Sequence, residues 1–195
     1  RDHSMKKLLK AEMWDRMQYL FRNYYDRMMH CVLYYDGPVD EDALRRALAF
    51  QIDSVPVLHA RYRNNFIRPY WTVEKWSVDD AFSVTDTDDL EKSVMAFAEQ
   101  RIPITSNVQI RVGLFRCGTK RALAVVVNHM CFDGGDLKYF VTQLCRNYTR
   151  LLGGDGNLEI KTGTRAYDAV YSGMSEEDAK HAKSLYHNIS DVKSK

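Results

Sequence analysis

The residues whose types and spacing suit chemistry lie together in one segment, Asn128-His129-Met130-Cys131-Phe132-Asp133-Gly134. An imidazole has a reference pKa near neutrality, so His129 is suited to act as a general base. Asp133 is suited to fix the local backbone through an ion pair or main-chain hydrogen bonds. Gly134 permits a close backbone approach or a positive φ. The plainer reading of His129 is a histidine satisfied by a main-chain carbonyl at a strand end. Asn128 reads either as a simple strand-end residue or as a hydrogen-bonding partner of the loop. Cys131, two residues from His129, invites a Cys/His nucleophile pair. The segment reads as a turn, however, where strand alternation no longer aims the two side chains alike.

These residues need elements to position them. Ahead of the segment, residues 121–128 are apolar on both faces, which predicts a central strand. Behind it, Leu137, Phe140, Val141, Leu144, Tyr148, Leu151 and Leu152 recur at helical spacing, with Gly153 as a natural C′ residue. A turn between a buried strand and an amphipathic helix holds its side chains rigidly at a sheet end. Upstream, Val108, Ile110, Val112 and Leu114 alternate with Gln109, Arg111 and Gly113, the pattern of a half-buried strand.

Residues 28–35 read as a strand stopped by Asp36-Gly37-Pro38. Asp40 then caps a helix whose inner stripe is Ala43, Leu44, Ala47, Leu48 and Ile52. Residues 57–64 and 66–71 read as two strands around Asn64-Asn65. Thr87 or Asp88 opens a second helix with Leu90, Val94, Phe97 and Ala98 inward. Residues 5–25 read as a helical lead-in, and a capping box at Ser175-Glu176-Glu177-Asp178 opens a final polar helix to about Asn188. The acidic run Asp79, Asp80, Asp86, Asp88 and Asp89 reads as a solvated loop and helix start. Tyr34 and Tyr35, with Tyr19, Tyr24 and Tyr25, read as core or interface. The order of elements predicts an α+β fold, a two-layer sandwich with a mainly antiparallel, mixed sheet covered by helices.

Composition removes several classes of function. The 195 residues carry 28 Lys+Arg against 26 Asp+Glu, a formal net charge of +2, which is no footprint for nucleic acid. The longest apolar run, residues 122–127, is too short to span a membrane. Cys31, Cys117, Cys131 and Cys145 lack zinc-ligand spacing and do not resemble a disulfide framework, so no metal site and a reduced, cytoplasmic setting are expected. The first residues lack an apolar signal-peptide core. His30, His59, His181 and His187 have no ligand-like spacing among themselves.

The segment resembles the HHxxxDG motif of the condensation domains of non-ribosomal peptide synthetases, within the wider chloramphenicol-acetyltransferase-like superfamily. Leu33-Tyr34-Tyr35-Asp36-Gly37-Pro38-Val39-Asp40, the helix from Leu44 to Leu48, and Val55-Pro56-Val57-Leu58 to Tyr62 are similar to the family's opening strand, helix and strand. The likeness covers about residues 28–153. It implies an N-terminal half-domain over 1–153, followed by a loop and helix, 154–195, leading to a C-terminal half. It also implies acyl transfer in secondary metabolism. The donor would be an acyl thioester, on coenzyme A or a phosphopantetheinyl carrier protein, and the acceptor an amine or alcohol. No cofactor would be tightly bound. His129 takes the position of the reacting histidine as base or orienting residue, Asp133 that of the structural aspartate, and Gly134 that of the glycine beside the thioester. Asn128 stands where the family has its first histidine. The second half's motif is missing, so the channel would be completed by a C-terminal half-domain or a second copy. The rival reading is a non-catalytic docking domain that binds a carrier protein.

Overall fold

The computed structural model describes residues 8–10, 28–64, 69–103, 105–132 and 134–158. All of them belong to one compact unit, Arg1–Ile160. The expected final helix lies outside the described residues, as does the helical lead-in except at Leu8–Lys10.

Four strands make the sheet that carries the site. They are β2 (Met28–Asp36), β5 (Phe82–Asp86), β6 (Ile110–Cys117) and β7 (Lys120–Asn128), in the order β2-β7-β6-β5. The β2–β7 and β6–β7 pairs are antiparallel and β5–β6 is parallel, so the sheet is mixed and mainly antiparallel, as the sequence predicts. β7 is central, in keeping with its two apolar faces. Gly118, at φ +56°, sits in the two-residue β6–β7 turn, where a left-handed residue is needed. β1 (Leu8–Lys10), β4 (Tyr70–Val73) and β3 (Ala60–Arg63) form a second, three-stranded sheet in that order.

Helices cover both faces of the larger sheet. On one, α1 (Glu41–Ser54) and α3 (Gly134–Leu152) pack over Ile110, Val112, Leu114, Val125 and Val127. Asp40 caps α1 as expected, its carboxylate accepting from Ala43 N at 2.9 Å, and the whole predicted stripe of α1 is buried. On the other face α2 (Leu90–Glu99) seats Val94, with Leu90 and Phe97, against Phe115, Ala122 and Ala124. The covered sheet and its helices match the predicted α+β layering, and α2 adds cover on the back. That cover explains a departure in β6. Gly113 and Phe115 are buried, so the strand is enclosed on both faces and not half-buried.

Other departures have local causes. Pro56 opens a 3-10 turn, Pro56–His59, so the strand expected from Val57 starts only at Ala60. Its partner runs Tyr70–Val73, later than expected. Leu8–Lys10 pairs antiparallel with β4 as a strand where helix was expected, because the backbone partner outweighs a loose apolar period. Phe82–Asp86 forms β5 within the acidic stretch read as loop. The second helix starts after Asp89, whose carboxylate accepts from Lys92 N at 3.1 Å, and not after Thr87 or Asp88. At the end of α3 the left-handed residue is Gly154, φ +80°, and not Gly153, while Leu152 is exposed. Tyr34 and Tyr35 are exposed at 63% and 59%, so neither joins the core.

Candidate functional site

Strand β7 ends at Asn128, and the next residue is His129, half-buried at the end of the sheet. The main-chain oxygen of Asn128 accepts from Cys131 N at 2.8 Å, which closes a four-residue turn with His129 at its second position. The side chain of Asn128 closes the same turn a second time, Oδ1 accepting from Met130 N at 3.1 Å. Asn128 is therefore a partner of the loop, the second of its two sequence readings.

The other end of the Asn128 amide is also engaged. Nδ2 donates to Oε1 of Gln109 at 3.1 Å. Gln109 Nε2 donates to the carbonyls of Ala60 and Ser106, 3.0 Å each. The backbone repeats the connection: Asn128 N donates to Gln109 O at 2.9 Å, and Gln109 N to Leu58 O at 2.8 Å. Both side chains are buried. The sense of the chain is fixed by counting donors. Two carbonyls take the two hydrogens of the Gln109 amide, so its oxygen faces Asn128, and the Asn128 oxygen faces the turn. The sequence pattern put Gln109 on a solvated strand face. It lies just before β6, under Leu58 and Ala60, where a buried amide persists because all its groups are paired.

His129 Nδ1 is sealed from solvent. Gly134 is the first residue of α3, exposed, and its φ is not positive. Among the described residues nothing lies within 4 Å of where a Cβ on Gly134 would stand. Positive φ is thus not the reason for glycine at this position, while among the described residues the space beside it is open. Asp133 lies outside the described residues. Cys131 is buried, and its thiol is directed at the Val57 carbonyl, with sulfur to oxygen 3.9 Å. That is the placement of a packed thiol and speaks against a Cys/His nucleophile pair.

The remaining histidines of the described chain stand apart in role. His59 is buried, its ring 5.8 Å from that of Trp76 and its Nδ1 3.3 Å from the Glu74 carbonyl. His30 is exposed on β2. Among the described residues no group of three or more His, Cys, Asp and Glu is arranged to hold a metal ion. No helix among them is long and apolar enough to cross a membrane.

No family model and no curated protein matches the sequence. Solved structures do match the fold. The first condensation domain of the calcium-dependent antibiotic synthetase is similar with a TM-score of 0.66 at 18% identity, over 80% of this chain and 40% of that one. The starter condensation domain of the rhizomide synthetase is similar at 0.66 and 14% identity, over 93% of this chain and 48% of that one. A structure of condensation domain-mediated chain release from the enacyloxin polyketide synthase is similar at 0.62 and 13%, over 79% and 32%. The architecture is that of condensation domains, as the motif's resemblance implied. The chain spans less than half the length of each of these structures, the extent of a half-domain.

Proposed function

We propose that this chain supplies the histidine-bearing half of a condensation-type acyltransferase. His129 serves as base or orienting group for an amine or alcohol that attacks an acyl thioester. In the step itself the acceptor's N–H or O–H proton passes to His129 as its nitrogen or oxygen bonds to the acyl carbon. The carbon–sulfur bond then breaks, and the proton goes to the departing thiolate. A base held in place this way is worth about a hundred- to ten-thousandfold in rate. The donor is an acyl group on coenzyme A or on a phosphopantetheinyl carrier, and the second wall of the channel comes from a C-terminal half-domain or a second copy. Asp133 holds the loop and Gly134 leaves room for the thioester.

The observation that carries this reading is the doubly closed turn that fixes His129 between a central strand and a 19-residue helix, in a fold that condensation domains share. Asn128 bears on it too. Its side chain is spent on the turn and on Gln109, so having Asn where the family motif has its first histidine touches support and not the reacting group. The test is acyl transfer from thioesters by the protein as its own gene expresses it, compared with its His129→Ala variant. A loss of about a hundredfold or more is expected, and an unchanged rate sinks the reading.

The docking-domain reading draws on Asn128 standing where the family motif has its first histidine. It expects binding of a carrier protein with no turnover in either variant. The intact mass of the natively expressed protein separates the arrangements. A mass near twice that of these 195 residues supports a second half-domain in the same chain. A mass near that of the 195 residues alone makes a second copy or docking the better account.

A further inference from the structure

We infer that Gln109 is a positioning residue for His129, acting through Asn128. The inference rests on the proposed function for its catalytic consequence, though not for its structural one. Gln109 does not touch the reacting histidine. It sits 19 residues upstream of Asn128, outside the motif, and its amide is the anchor from which the His129 turn hangs. From the carbonyls of Ala60 and Ser106 the polar chain runs through Gln109, through Asn128, to the Met130 amide that closes the turn. Three of these links, to the Ala60 carbonyl, from Asn128 to Gln109 and from Met130 N to Asn128, are hydrogen bonds between buried groups, where a broken bond is costly because water cannot replace it, and the link to the Ser106 carbonyl is partly buried. The carbonyls at its root belong to two different segments. Ala60 starts β3, in the smaller sheet, and Ser106 lies in the loop before β6. The turn is therefore registered against both segments and not only against its own strand. Losing the Gln109 amide frees the Asn128 side chain to turn, and a displacement of the histidine by a fraction of an ångström is enough to cost catalysis.

The molecule contains its own control. Gln51 is another fully buried glutamine, donating to the Phe140 carbonyl at 3.0 Å and facing Asn147, within the α1–α3 interface. Gln109→Met and Gln51→Met each remove one buried amide of the same size, and both are expected to lower Tm by several degrees. Only Gln109→Met is expected to move the imidazole proton resonance of His129, assigned by its loss in His129→Ala. Only Gln109→Met is expected to lower kcat for acyl transfer, by up to about a hundredfold with KM little changed. Asn128→Asp is the second variant should Gln109→Met fail to fold. It keeps an acceptor for Met130 N–H and, at a pH where its carboxyl is ionised, has no proton to donate to Gln109, and there the same displaced His129 resonance is expected. The inference is overturned if the His129 resonance and kcat are the same in Gln109→Met as in Gln51→Met, or, where Asn128→Asp stands in, the same as in wild type. If His129→Ala leaves transfer unchanged while Gln109→Met still moves the resonance, the proposed function falls and the positioning role stands.

Discussion

The side-chain nitrogen of Asn128 lies 3.1 Å from Oε1 of Gln109, and both amides are buried. At that position a carboxylate would face the Gln109 oxygen with no proton to offer, whereas a protonated carboxyl could donate. Burial without a cation raises the folded-state pKa of such a group above its unfolded value of about 3.9. Between the two pKa values the folded state holds the extra proton, so stability falls as pH rises. Asn128→Asp should therefore stay near wild-type Tm at about pH 4 and fall progressively behind it up to neutrality. Paired melts across that range check it, and a constant gap would refute the donor role of Asn128.

Arg116 at the end of β6 makes two bonds to Asp86 of β5, 2.7 and 2.9 Å, and a third to Glu41 in the first turn of α1, 2.6 Å. The hydrogen bonds from Arg116 hold the Asp86 carboxyl below its usual pKa, and the two carboxylates raise that of the guanidinium. A lowered carboxyl pKa adds stability above the unfolded value of about 3.9 and loses it as pH falls through the folded one. Arg116→Ala should flatten the fall in Tm below about pH 4 relative to wild type. Asp86 is exposed and Arg116 and Glu41 are half-exposed, so high salt should shrink the difference at neutral pH. Melts at several pH values and two salt concentrations test both statements.

The readable part of the chain was the part whose side chains report their own environment. The two apolar faces of residues 121–128 marked a central strand. The stripe from Leu137 to Leu151 marked the helix behind His129, and His129 falls in the turn between that strand and that helix. What stayed hidden depends on partners distant in sequence. Gln109 looked like the polar face of an alternating strand, because nothing in its neighbours tells that Ala60 and Ser106 offer it carbonyls. Phe82–Asp86 was obscured by its acidic surroundings, since it forms a strand only against β6 in parallel, where the pairing energy is non-local. The left-handed residue after α3 fell on Gly154 because two glycines follow each other and the pattern could not choose between them.

Gly113 lies beneath the ring of Phe97. A Cβ there would stand 2.8 Å from a ring carbon of Phe115 and 3.0 Å from two of Phe97. Those rings meet edge to face at 5.4 Å, and Arg111 covers Phe97 while donating to the carbonyls of Phe97 and Gln100 at the end of α2. Neither ring has an easy retreat. Gly113→Ala should cost about 1–3 kcal/mol through overpacking. The damage should be confined to α2 and its face of the sheet. Chemical denaturation gives the cost, and an unshifted His129 resonance would confirm that the site on the far end of β7 is insulated from it.

Gly134 separates structural from functional use of a glycine. Its φ is not positive, and nothing among the described residues approaches the place of an added Cβ, so none of the described surroundings requires glycine there. Alanine is the better residue in a helix, by up to about 1 kcal/mol in its interior and less at its first position. Gly134→Ala should therefore leave Tm unchanged or slightly raised. If the open space is where an acyl thioester approaches His129, the added methyl group should obstruct it, and acyl transfer should fall while stability does not. The two readouts move in opposite directions only if that space is used by substrate. A variant with wild-type transfer would remove Gly134 from the site and leave His129 to be approached from elsewhere.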